Sequence, residues 1–212
     1  MENQYDKIPE HLKPRNSGTD ALFKNSFMEK FTRTHIAVPI TMHIIIILVV
    51  SYFALQQLSA LTFVLLFASG WLLWTFAEYW IHRYVYHVKT DKKWLLKLQH
   101  AGHGIHHQYP KDPTRLAMPP LPALILLSIF YGIFWLIMRQ YAIAFFPGFL
   151  FGYLSYISLH YAQHRIKPPR FRPWNKLWKY HLLHHYRFPE DKAFGVSTLL
   201  WDRVFGTLPK ER

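Results

Sequence analysis

The chain has 212 residues with no cysteine, 14 histidines and a net charge of +13, and 51% of it is hydrophobic. One domain with at most a tail fits that length, and the lack of thiols excludes a disulfide framework, a zinc ribbon or a thiolate ligand, leaving imidazole and carboxylate to carry any metal chemistry. The basic balance could suit nucleic acid, but no DNA- or RNA-binding motif occurs, and basic residues bordering apolar stretches are accounted for by anionic lipid headgroups.

In chain order, residues 1–34 are polar with scattered Pro and Gly and lack the apolar stretch of a signal peptide. They are expected to form a mobile or surface-lying arm. Four apolar stretches follow, about residues 36–55, 59–81, 118–138 and 142–159, each near the roughly 20 residues of a bilayer crossing. Short links join the first to the second and the third to the fourth. The expected fold is therefore an all-α integral membrane protein with four transmembrane helices in two hairpins. Residues 35–208 form the membrane-embedded domain on this reading, and 209–212 a C-terminal tail.

Of the 25 Lys and Arg, six precede the first span, seven lie between the second and third, eleven follow the fourth, and Arg139 alone lies on the other side. The positive-inside rule then places both termini and the 82–117 segment in the cytoplasm. Two segments on that side read as interfacial helices forming a cap. In PWNKLWKYHLLHHYRF, Trp174, Leu177, Trp178, His181 and His185 recur at helical spacing. DKKWLLKLQHAGHGIHH starts basic and aromatic, as a helix on headgroups would.

Ten histidines fall into four groups: His82 and His87; His103, His106 and His107; His160 and His164; His181, His184 and His185. At about 100° per residue, each H-x2-H-H group spans an arc of about 100° and can point one way, and His160 and His164 differ by about 40°. His82 and His87 would splay by about 140° on a regular helix. The helix must end or distort there, or the two rings must serve different ions. Ten neutral imidazoles on one face make poor packing material, because each ring carries two polar nitrogens that need partners. Metal ions satisfy them, and ten ligands suit two transition ions with about five each and a position left open to dioxygen or water. Imidazole suits iron, zinc or copper, and ligand type does not choose among them.

The order H-x4-H, H-x2-H-H, H-x3-H, H-x2-H-H resembles the integral-membrane fatty acid hydroxylase superfamily, which also contains sterol desaturases and C4-methyl oxidases. Within it, HRYVYH at 82–87, HGIHHQYPKDPTRLAMPP at 103–120, HYAQH at 160–164 and KYHLLHHYRFPEDKAFGVSTLLWDRVFGT at 179–207 are most similar to fatty acid 2-hydroxylases of sphingolipids. The likeness covers roughly residues 60–208. It implies that His82, His87, His103, His106, His107, His160, His164, His181, His184 and His185 are the catalytic ligands of two metal ions, iron for activity, with zinc possible in a purified sample. It also implies dioxygen-dependent hydroxylation of a lipid acyl chain at carbon 2. No haem-binding His-Pro-Gly-Gly stretch occurs, so electrons are expected from a separate donor such as cytochrome b5 or ferredoxin with its reductase.

Each ligating ring is expected to turn its other N–H to an acceptor. Glu78, one turn before His82, is a candidate because a carboxylate near the end of a span is expensive unless paired. Asp112, Asp191 and Asp202 lie near the other groups. Charged headgroups could meet Arg83, Arg115 or the basic C-terminal segment. Many relatives carry a further histidine where this chain has Arg165, and His11, His35, His43 and His100 stand outside the pattern. Sterol or carotenoid oxidation would use a similar arrangement. A metal transporter would hold its ligands near the membrane midplane, and a zinc hydrolase would commonly pair its ligands with a Glu base, as in H-E-x-x-H, which is absent.

Overall fold

The computed structural model describes residues 8–15 and 17–209. The first seven residues of the expected arm, and all of the expected tail but its first residue, lie outside the described residues, as does the side chain of His11. The α-helices are α1 Ser26–Lys30, α2 Ala37–Gln57, α3 Ala60–Ile81, α4 Lys93–Gln99, α5 Ile105–Gln108, α6 Pro120–Met138, α7 Ala142–Arg165, α8 Arg172–Tyr186 and α9 Leu200–Val204. No strand occurs among the described residues.

Local chemistry sets the ends. Ser59 accepts the Thr62 N–H at 3.2 Å and caps α3, and Pro120 opens α6, where its missing N–H costs nothing. Three stretches are long and apolar enough to cross a membrane: Ala37–Gln57, Ala60–Tyr86 and Pro113–Arg165. The third contains both α6 and α7, which reverse direction at Arg139, a residue with φ 52°. Phe134 meets Phe145 and Phe130 meets Phe149 across this antiparallel pair. Leu48, Leu61 and Ile137 are 65%, 70% and 76% exposed, an apolar surface suited to lipid.

Both expected hairpins keep their short links, two residues between α2 and α3 and three between α6 and α7. Helices α2 and α3 touch each other sparsely, and both lean on α7, which is the hub of the bundle. Glycine makes that possible. A Cβ at Gly70 would lie 2.1 Å from the Phe145 carbonyl oxygen, and one at Gly148 would lie 1.9 Å from that of Phe67. The two backbones approach through this reciprocal pair, as small residues allow between membrane helices.

The described part of the arm lies across the histidine end of the bundle. Ile8 and Leu12 are buried, the Arg15 N–H donates to the Gln108 carbonyl at 2.7 Å, and Arg115 pairs with Glu29 at 2.5 Å.

Candidate metal centre

Five elements bring the ten histidines together. After α3 the chain widens into a π-helical turn over His82–Tyr86, and a second such turn spans His100–Gly104. A wider turn brings residues five apart onto one side, so His82 and His87 converge, with ring centroids 4.9 Å apart. The helix distorts, and the two rings do not serve different groups. Gln99 fixes the end of this turn by donating to the carbonyls of Val85 and Val88 at 3.1 and 2.8 Å, on either side of His87.

The ten rings form two groups: His82, His87, His103, His107 and His184; and His106, His160, His164, His181 and His185. In each group one nitrogen per ring lies within 4.8 Å of all the others. The H-x2-H-H blocks therefore do not point one way, which corrects the simple arc reading. His103 and His107, one turn apart, stay together while His106 crosses to the other group; His181 and His185 stay together while His184 crosses. An arc of about 100° is wide enough to straddle two centres.

The protonation pattern follows from the backbone. The Nδ1–H of His82 donates to the Phe194 carbonyl at 2.6 Å, that of His184 to Lys192 at 2.9 Å, and that of His160 to Leu116 at 3.2 Å. With Nδ1 carrying the proton, Nε2 of each ring is a lone pair. These lone pairs face other Nε2 atoms: His82 to His103 at 2.9 Å, His160 to His106 at 2.9 Å, and His184 to His87 at 3.2 Å. A cation between them turns an unfavourable arrangement into a favourable one. Metal–nitrogen bonds of about 2.0–2.1 Å set neighbouring nitrogens about 2.9 Å apart at a right angle and about 3.4 Å apart in a tetrahedron. The three spacings, 2.9 to 3.2 Å, are those of nitrogens that could share one ion. Burial, and after it the neighbouring imidazoles, hold His103, His106, His107, His181, His184 and His185 well below the usual histidine pKa, in the neutral form a metal requires.

The carboxylates act one layer further out than expected. Glu78 hydrogen-bonds the loop and not the rings: its Oε1 accepts the N–H groups of Val196 and Ser197 at 2.7 and 2.9 Å, and its Oε2 the Ser197 hydroxyl. Asp202 accepts the N–H of Phe194 at 3.0 Å, the N–H of Gly195 at 2.7 Å and the Thr207 hydroxyl at 2.6 Å. Gln163 donates to the Val196 carbonyl at 3.1 Å. Together they pin the 192–198 loop whose Lys192 and Phe194 carbonyls hold two rings. Asp112 instead bonds Thr19, Thr114 and Arg33 of the arm joint, and Asp191 lies near Lys89 at the surface. Arg83 donates to the Tyr79 hydroxyl at 2.7 Å and sits against Phe194. Leu116 and Phe194 act through backbone carbonyls, which every residue carries and no side-chain pattern marks.

A cavity of about 570 Å³ opens on this centre. His82, His103, His106 and His160 line one part of it, and Phe130 and Phe149 another. Phe149 stands eleven residues before His160 on α7, about 16 Å along the helix. An apolar cavity with a histidine-lined end is thus built into the bundle.

The fatty acid hydroxylase family profile matches residues 67–207. The chain belongs to the fatty acid hydroxylase family. Among hydroxylases of this kind it is 38% identical, over 191 residues, to a dihydroceramide fatty acyl 2-hydroxylase of Arabidopsis thaliana, covering 88% of this chain and 79% of the relative. It is 37% identical to the ceramide very long chain fatty acid hydroxylase of Saccharomyces cerevisiae over 92% of this chain and 51% of that protein. A solved structure described as full-length Scs7p with only the hydroxylase domain visible superposes with a TM-score of 0.82 at 35% identity, covering 98% of this chain and 78% of that one.

Proposed function

We propose that this chain is a multi-pass membrane oxygenase that places a hydroxyl on carbon 2 of a long acyl chain, free or amide-linked in a sphingolipid. The observation that carries the reading is the convergence of ten histidines into two five-membered groups at the end of an apolar cavity. In this reading the ten histidines are the ligands of two transition ions, iron in the active protein, which supply dioxygen chemistry when bound. The chain's own residues do the rest. Lys192, Phe194 and Leu116 fix three rings in the ligating tautomer, and the walls around Phe130 and Phe149 hold the acyl tail away from water. The metal end and both termini face the cytoplasm in this reading, which the distribution of basic residues supports. Residues 35–208 are the hydroxylase unit, residues 8–15 and 17–34 of the preceding arm fold over its metal end, and 209–212 are assigned to a tail. Electrons come from a separate donor such as cytochrome b5 or ferredoxin with its reductase.

Mass spectrometry of lipids from a host that lacks the activity, with and without the protein, tests this. A gain of one oxygen is expected, and fragmentation should place it next to the carbonyl. Oxidation of a carotenoid ring or a sterol methyl group instead would reject the acyl substrate.

A further inference from the structure

His43 lies within α2 and belongs to neither histidine group. Its ring is fully buried. Nδ1 donates to the Pro39 carbonyl one turn back at 2.6 Å, which leaves Nε2 as a lone pair. That nitrogen has no hydrogen-bond partner among the described residues. The residue lines the large cavity and its ring tilts against Tyr153, with centroids 4.9 Å apart. An acceptor left unpaired in an apolar surrounding is costly, and a leucine would fill the same place without that penalty. The histidine is therefore suited to something that enters the cavity and donates to it.

The missing partner must carry an O–H or N–H, because Nε2 can only accept. Its depth is set by Tyr153, seven residues before His160 on α7 and hence about 10 Å along the helix from the metal end. The geometry points to a lipid bearing an aliphatic hydroxyl some 10 Å from the oxidised carbon, with His43 as the residue that selects it. This rests on the reading that the cavity admits a lipid to the histidine groups. The hydroxyl could belong to the oxidised chain or to a second chain of the same lipid.

Two pairs of long-chain lipids separate those sources. One pair differs by a mid-chain hydroxyl on a fatty acid, the other by a mid-chain hydroxyl on the long-chain base of a dihydroceramide. Each pair is offered in equal amounts to the purified full-length protein, and the retained lipid is identified by native mass spectrometry, which requires no turnover. The wild type should favour the hydroxyl-bearing member about tenfold or more in one pair, since a site built to bond a hydroxyl rejects the analogue without it. His43→Leu should bring the ratio close to one with an unchanged or higher Tm, and His43→Gln, whose side-chain oxygen can accept, should keep part of the preference. Equal retention by the wild type in both pairs, or the wild-type ratio in His43→Leu, overturns the proposal and leaves His43 as a ring packed on Tyr153. A preference that persists without any oxygenated product would count against the hydroxylase reading while upholding this one.

Discussion

The carbonyl of Phe194 receives the Nδ1–H of His82 at 2.6 Å, although 112 residues separate them. The N–H of Phe194 in turn donates to Asp202 at 3.0 Å, so a buried carboxylate supports a ring of the histidine cluster through one residue's backbone. Asp202→Ala should lower metal affinity about 10–100-fold, and Asp202→Asn, which keeps an accepting oxygen, should lose less. Competition with a chelator of known affinity measures both. Undiminished affinity in the alanine variant would mean that the loop holds His82 unaided.

Each of the ten histidines should be needed for full metal content. Replacing any one by Ala should reduce bound metal and abolish product, while His35→Ala, exposed and outside both groups, should change neither. Elemental analysis of purified variants decides this; full content after the loss of several of the ten would refute the ligand assignment.

The arm should be sensitive to acid through Glu29. Burial works to raise this carboxyl, but the Phe23 N–H, Arg33, the charge of Arg115 and the Leu22 N–H outweigh it and hold the pKa below its ordinary 4.5. The docked arm therefore binds fewer protons than the released one. Its stabilisation is present above about 4.5 and is lost as pH falls through the lowered value. Hydrogen exchange in peptides covering 19–34 should show protection falling below that pH, and Glu29→Gln should shrink the step to the part that Asp112 contributes through Thr19 and Arg33.

Gly148→Ala should destabilise the bundle by about 1–3 kcal/mol, because the added methyl meets the Phe67 backbone. Gly132→Ala, with nothing within 4 Å of its Cβ, is the control. Equal Tm values for the two would show that α3 and α7 can separate freely.

Purified protein with lipid and dioxygen should turn over repeatedly only when a reductant is supplied. An acidic donor should associate more slowly as salt rises, because attraction to the +13 chain is screened. Stopped-flow reduction across a salt series reads the slope, and sustained turnover with no reductant would exclude the oxygenase reading.

Much of this was legible in the sequence, because hydropathy and histidine spacing are local properties. The long helices begin and end within a few residues of the apolar runs, except that α7 continues to Arg165 and carries His160 and His164 on its last turns. The failure of regular spacing at His82 and His87 left a helix end, a distortion or separate ions open, and the structure shows a distortion, the π-helical turn. What spacing could not show was partition: His106 and His107 are adjacent in sequence yet enter different groups. Nor could it show that Glu78 serves the 196–197 backbone, since that contact spans 118 residues of chain. The hub position of α7 was hidden as well, because it depends on where Gly70 and Gly148 face one another.

The crossing of His106 and His184 has a consequence for how the protein would mature. Neither group can be completed by one contiguous half of the chain, since each borrows a ring from the block that mainly builds the other. Seating an ion in one group would orient a helical segment that also carries ligands of its neighbour, lowering the entropy still to be lost there. Filling should then be cooperative, and under metal scarcity a population would sort into empty and doubly loaded molecules, with few half-filled ones between.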